Sequence, residues 1–283
     1  MPGRTKIPAA LSARPFLVEE ARRHGLTLRV LRGRRFRSVF RGVYVAADRP
    51  DTLELRVDAA RLVLPARAVF SHTTAARLVG LPVPDRDDCP LHATVPPGTA
   101  RPAVRGIIVH EGLVSSPIRQ PRGRLITGPA RTFLDLAPTL SLVDLVILGD
   151  AMVRGKLVTA AALRTAAAST RRRGARQARR AAELVLPGVD SPPETIVRLL
   201  IVFAGLPCPL PNEPVHDEFG QWVATVDLQY REQRIAIEYD SDLHRSIRRK
   251  WRHDVRTRDE LRRLGWDVIT VTYDDLCIRP LQT

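Results

Sequence analysis

WVATVDLQY (Trp222–Tyr230) and RIAIEYD (Arg234–Asp240) are two runs of alternating character joined by a short polar link, Arg231–Gln233. Period-two alternation on both sides of such a link is the pattern of a β-hairpin. If the chain turns at Glu232-Gln233, Arg231 pairs with Arg234, and counting back along both strands sets Asp227 directly opposite Glu238. The same alternation puts Asp240 on the face of Glu238. Directly opposed carboxylates lie about 5 Å apart at their β-carbons and repel unless a cation sits between them. Oxygen ligands without cysteine or clustered histidine favour Mg²⁺ or Mn²⁺ over zinc. Such ions suit phosphodiester hydrolysis, because they activate water and neutralise phosphate charge.

Upstream, Pro187-Gly188 marks a boundary, and Ser191-Pro-Pro-Glu194 reads as a helix start: Ser191 the cap, Pro192 the first helical residue, Glu194 the partner in a capping box. This helix should run to about Ala204 and stop at Gly205. Downstream, Arg245–Leu264 is amphipathic, with Ile247, Trp251, Val255 and Leu261 on one stripe, and Trp266–Tyr273 reads as a further strand. Asp254 and Arg258 stand four apart, either as a helix-surface ion pair or with Arg258 facing a phosphate.

At the other end, Phe16–Gly25 is a short helical pattern and Thr27–Leu31 starts a second helix after a tight turn. Phe36–Val45 alternates around Gly42 as a two-stranded wing would. Arg29, Arg32, Arg34, Arg35, Arg37 and Arg41 crowd this region, as a DNA-facing surface or as a solvated face. Helical patterns follow at Thr52–Val63 and after Ser71. His72 lies in a Ser-His-Thr-Thr cap without a nucleophile motif beside it, and it is assigned no chemistry. Strand-like pieces HATV and GIIVH precede two apolar helices over Pro129–Val153. Thr159–Leu186 is rich in Ala and Arg and reads as a connecting helix; six arginines fall within Arg171–Arg180 with no acid among them.

The chain carries 45 Lys and Arg against 30 Asp and Glu, a formal charge of +15 over 283 residues, which points to a polyanionic partner. Cys89, Cys208 and Cys277 are odd in number and form no CxxC pair, so neither a disulfide framework nor a zinc site is indicated. No apolar run reaches the roughly 18 residues of a membrane span, and the N-terminus does not read as a signal peptide. A cytoplasmic protein without membrane association is expected. No RNP-type aromatic motif points to RNA.

Asp227, ten residues and Glu238, with Glu194 on the helix upstream, resemble the acidic set of the PD-(D/E)xK restriction-endonuclease superfamily. The wider pattern of Ser191-x-x-Glu194, Val-Asp227-Leu, Glu238-Tyr-Asp240, His244, Asp254, Arg258 and Leu264-Gly-Trp-Asp-Val-Ile-Thr-Val is similar to domains related to very-short-patch-repair endonucleases. GLTLRVLRGRRFRSVFRGVYV and SHTTAARLVGLP resemble, more loosely, the winged-helix part of abortive-infection AbiEi-type antitoxins. The first resemblance implies a mixed sheet flanked by helices, with Glu194, Asp227 and Glu238 as metal ligands, and Asp227, Glu238, Asp240 and His244 as catalytic groups. Asp240 stands where the superfamily has lysine, and Ser241 where related domains have glycine. His244 is placed to act as general base or as a structural hydrogen-bonder.

The expected organisation is an α/β and α+β multidomain chain: a winged helix over 1–85, a middle α+β region over 86–158, a connecting helix over 159–186 and a nuclease-like domain over 187–283. The expected function is a Mg²⁺- or Mn²⁺-dependent DNA endonuclease. The alternative is a non-catalytic DNA-binding regulator or type IV antitoxin-like protein with a degenerate nuclease domain.

Overall fold

The computed structural model describes residues 7–84, 89–240 and 257–277, in a mixed α/β arrangement with one antiparallel and two mixed sheets. The chain divides into two compact units, Met1–Asp135 and Leu136–Thr283. No helix among the described residues is long and apolar enough to cross a membrane.

The first unit opens with α1 (Ala9–Ser12), β1 (Phe16–Leu17), α2 (Val18–Arg23), α3 (Leu28–Leu31), β2 (Phe36–Phe40) and β3 (Val43–Ala46). Gly25 takes a left-handed φ of 76° and ends α2, and Thr27 caps α3 by accepting from the Val30 N–H at 3.4 Å. The three strands form an antiparallel sheet in the order β1-β3-β2. Leu11, Phe16, Leu26, Leu31 and Phe36 are buried together, with Phe16 and Phe36 edge to face at 5.7 Å.

The rest of this unit is a five-stranded sheet in the order β6-β5-β4-β8-β7, comprising β4 (Val69–Phe70), β5 (Leu91–Val95), β6 (Ile107–Glu111), β7 (Ile118–Gln120) and β8 (Arg124–Ile126). α4 (Leu53–Ala60) and α5 (His72–Leu78) belong with it. β5 and β6 run parallel, with Leu91 opposite Ile107 and Thr94 opposite His110. Parallel neighbours need a crossover connection rather than a tight turn. The buried set of Phe70, Leu91, Ala93, Ile107 and Ile126 fills the interior. α6 (Pro129–Leu136) ends at the division between the units.

The second unit contains α7 (Leu142–Arg154), α8 (Ala160–Ser169), α9 (Ala175–Leu184) and α10 (Pro192–Phe203), followed by β9 (Leu210–His216), β10 (Trp222–Tyr230), β11 (Ile235–Asp240) and β12 (Asp267–Thr272). The single connecting helix expected over 159–186 is two helices. Gly174 breaks it at φ 83°, where a β-carbon would sit 2.7 Å from the Pro138 nitrogen, closer than any substituent is accommodated. The sheet order is β12-β11-β10-β9, with β11 and β12 parallel and the other pairs antiparallel.

α10 begins as its sequence requires: Pro192 at the first position and Ser191 Oγ accepting from the Glu194 N–H at 3.4 Å. Its Val197 packs with Leu228, Ile237 and Val271 of the sheet. Behind it, Arg198 and Asp150 form a buried ion pair at 2.8 Å between α10 and α7. Thr195 Oγ1 and the Leu186 N–H also donate to Asp150, each at 2.9 Å, so the buried carboxylate is well satisfied. This pair fixes α10, and with it Glu194, one turn before Arg198.

Candidate functional site

The β10–β11 hairpin turns over Arg231–Arg234, with the Arg234 N–H donating to the Arg231 carbonyl at 3.3 Å and Arg234 left-handed at φ 52°. Its ladder pairs Tyr230 with Ile235 and Leu228 with Ile237. Continued by one residue, this register sets Asp227 against Glu238, as the sequence implies. The ladder ends there: β10 continues along β9, and β11 along β12. In the resulting fork, Asp227 Oδ2 accepts from the Tyr239 N–H at 2.7 Å. A side-chain carboxylate thus substitutes for the missing ladder bond.

Burial pushes the Asp227 carboxyl up to about 6; the Tyr239 N–H opposes this, and the charges of Glu194, Glu238 and Asp190 add to it. Glu194 is buried, and its Oε2 accepts from the Asp190 N–H at 2.9 Å and from Asn212 Nδ2 at 2.7 Å. It does more than cap a helix: it anchors the start of α10 to β9.

Glu238 and Asp240, two apart on β11, both meet Arg258, at 3.0 and 3.4 Å. Arg258 lies on helical residues 257–263, whose Leu261 packs with Trp266 and Ala236 in the buried interior. The structure therefore brings Asp227, Glu238, Asp240, Glu194 and Arg258 into one electrostatic neighbourhood. It does not gather Glu194, Asp227 and Glu238 to ligand distance. His244 and Asp254 lie outside the described residues.

Among the described residues, one group of His, Cys, Asp or Glu side chains has ligand atoms all within 4.8 Å of one another, namely His72, His92 and His110. His72 opens α5 at a left-handed φ of 52°, His92 lies on β5 and His110 on β6. His92 Nδ1 and His110 Nε2 approach to 2.9 Å, and the His72 and His110 rings stack at 3.9 Å. Burial, with the His110 charge, pushes His92 down to about 4. Ser71 Oγ lies 2.9 Å from His72 Nδ1 and accepts from Thr94 Oγ1 at 2.9 Å. Ser71 occupies the N-cap position of α5 without a side-chain capping bond, its hydroxyl meeting His72 and Thr94 instead.

Of the arginines crowding the N-terminal region, Arg29, Arg32, Arg34 and Arg41 are exposed. Arg35 lies 6.0 Å over the Phe36 ring, and Arg37 pairs with Asp51 at 3.2 Å, so these two also serve the local fold.

No family model matches the chain. It is 31% identical over 245 residues to two Mycobacterium tuberculosis proteins, the uncharacterized proteins MT2308 of strain CDC 1551 and Rv2248 of strain H37Rv, covering 86% of this chain and 87% of theirs. The chain belongs to the family of these two proteins. The matched span is longer than either compact unit, so the family shares material from both.

Proposed function

We propose that the chain is a metal-dependent DNA endonuclease in which Asp227, Glu238 and Glu194 hold a divalent cation, and a winged-helix N-terminal region engages the duplex. The observation that carries this reading is the Asp227 carboxylate, buried in the fork of a hairpin among the charges of Glu194, Glu238 and Asp190. Like charges concentrated in a buried site are destabilising until a cation joins them. The donor set is all oxygen, which fits Mg²⁺ or Mn²⁺ in kind, and binding would draw the three carboxylates closer together than they stand. Such an ion, when bound, would neutralise phosphate charge and lower the pKa of water.

The chain's own groups would divide the remaining work. Arg258, displaced from Glu238 by the cation, would offer its planar fork to a phosphate. Asp240 would orient that guanidinium in place of the superfamily's lysine. His244 is the candidate proton acceptor. Exposed Arg29, Arg32, Arg34 and Arg41, on a chain of charge +15, would supply phosphate contacts along the duplex.

The test is Mg²⁺- or Mn²⁺-dependent nicking of supercoiled plasmid. Asp227→Ala and Glu238→Ala should each reduce it by about 100-fold or more, as loss of groups acting in one unit does. Undiminished nicking by both variants would falsify the assignment. A specific observation favours a second reading: Arg258 forms ion pairs with both Glu238 and Asp240, a cationic partner supplied by the chain itself. On that reading the protein is a DNA-binding regulator or type IV antitoxin-like protein with a degenerate nuclease scaffold. Absence of Mg²⁺ binding, with salt-sensitive duplex binding retained, would select it.

A further inference from the structure

We propose that His72, His92 and His110 form a three-histidine binding site for a zinc-class divalent transition metal, separate from the acidic fork. The site lies wholly within the N-terminal unit, and each ligand comes from a different element: the start of α5, strand β5 and strand β6. It does not depend on the nuclease reading.

The distances fit a small tetrahedral ion. With metal–nitrogen bonds of about 2.0–2.1 Å, two ligand nitrogens stand roughly 3.4 Å apart. His92 Nδ1 and His110 Nε2 are already at 2.9 Å, and all three residues have ligand atoms within 4.8 Å of each other. Loading requires His92 Nδ1 and His110 Nε2 to part by about half an ångström, the wider pairs to close, and the stacked rings to turn so that their in-plane lone pairs converge. At 2.9 Å, two facing ring nitrogens accommodate one proton between them, so this contact is made only while one of them keeps its lone pair. That lone pair is what a metal takes.

The surroundings are those of an oriented ligand. Ser71 is fully buried and its Oγ is held by Thr94 Oγ1. If His72 Nδ1–H donates to Ser71 Oγ, Nε2 of the same ring is the atom that can ligate a metal; such partners fix tautomer and ring direction in metal sites. His92 is fixed through its backbone on both sides: its N–H donates to Thr74 Oγ1 at 2.7 Å, and its carbonyl accepts from the Ser71 N–H at 3.0 Å. His72 also sits at positive φ, a conformation rare for a residue with a β-carbon and maintained where surrounding contacts impose it. All three residues are half-buried rather than sealed from solvent. Imidazole donors select zinc, cobalt, nickel or copper over magnesium and calcium.

The experiment uses the full chain, stripped with EDTA and desalted. Titration with Co²⁺ should give the visible absorption of four-coordinate cobalt at one equivalent, removed by Zn²⁺. His92→Gln and His110→Gln should weaken zinc binding by about 100-fold or more, and Ser71→Ala, which only positions His72, by about 10-fold. Zinc-edge X-ray absorption on the unmutated protein runs alongside, so a variant that fails to fold does not decide the matter. Three imidazole nitrogens on the zinc support the site. No cobalt band, a zinc shell of oxygen alone, or undiminished zinc binding by a folded His92→Gln protein overturns it.

Discussion

The histidine cluster of the first unit and the acidic fork of the second are both sets of ligand-bearing side chains partly withdrawn from water, yet they are built in opposite ways. The Asp227–Glu238 pair is a product of local sequence, since a hairpin sets the two opposite each other, while Glu194 joins them from α10 beyond β9. The cluster is a product of topology: His92 and His110 are 18 residues apart and meet because β5 and β6 are parallel neighbours. In both, burial favours the uncharged form, raising Asp227 to about 6 and lowering His92 to about 4. One physical cause thus gives an acid that holds its proton to higher pH and a base that takes one only at lower pH. An oxygen set and a nitrogen set also ask for different cations.

The strongest test of this contrast separates the two by metal. Asp227→Ala should lose Mg²⁺-dependent nicking by about 100-fold or more, while its cobalt spectrum, read from the nitrogen set, stays that of the unmodified protein. Loss of the cobalt band in the same variant would mean that the two clusters are not independent.

Next in size is the frame behind the fork. Arg198→Ala leaves Asp150 buried without its cation, and should cost about 3–5 kcal/mol in urea unfolding of the second unit. Replacing both partners with apolar residues should recover much of that loss, because the penalty lies in the orphaned charge. A cost below about 1 kcal/mol would show that water reaches the pair.

The Asp227–Glu238 pairing in the fork was legible because the inference it needed was short in sequence. The link Arg231–Gln233 sets the register, and the turn observed over Arg231–Arg234 produces the same alignment. The Ser191 cap and the stop at Gly205 follow equally local chemistry. The histidine cluster was not legible for the complementary reason. HATV and GIIVH read as strand-like pieces, but nothing in either says that they run side by side in parallel, or that α5 starts at their edge. His72 therefore looked like a residue in a helix cap. Its one local clue, Ser71 immediately before it, pointed to helix capping, while in the fold that hydroxyl serves His72 and Thr94. Arg258 was legible only in part: spacing offered Asp254, which lies outside the described residues, or a phosphate, and tertiary packing adds Glu238 and Asp240.

The pH response of the metal-free protein should carry opposite signs at the two places. Asp227 has a raised folded-state pKa, so its contribution is fully present below its ordinary value near 3.8 and is lost as pH rises towards 6. His92 has a lowered one, so its contribution is present above about 6.5 and is lost as pH falls towards 4. Neither slope can exceed about 1.4 kcal/mol per pH unit, the value for one proton. Thermal melts in EDTA between pH 4 and 7 check this. Asp227→Asn should remove the component that falls with pH, and His92→Gln the component that rises. Two variants with the same sign of change would break the contrast.

The smallest expected effect bears on which function the fork serves. The ion pairs of Arg258 with Glu238 and Asp240 are partly open to water, with about a fifth of each side chain exposed, so their removal should change stability by no more than about 1 kcal/mol. Their effect on the cation should be larger than their effect on folding. If Arg258 and a divalent ion compete for Glu238, Arg258→Gln raises Mn²⁺ affinity several-fold while lowering the affinity for DNA, because the same guanidinium is lost to the phosphate. Calorimetric titration with Mn²⁺ and with a short duplex reads the two quantities separately. Tighter manganese binding with weaker DNA binding places the arginine at the boundary between metal and substrate. Unchanged manganese binding would mean that the arginine is a permanent structural substitute for the cation, and the regulator reading of the fork would then prevail over the nuclease reading.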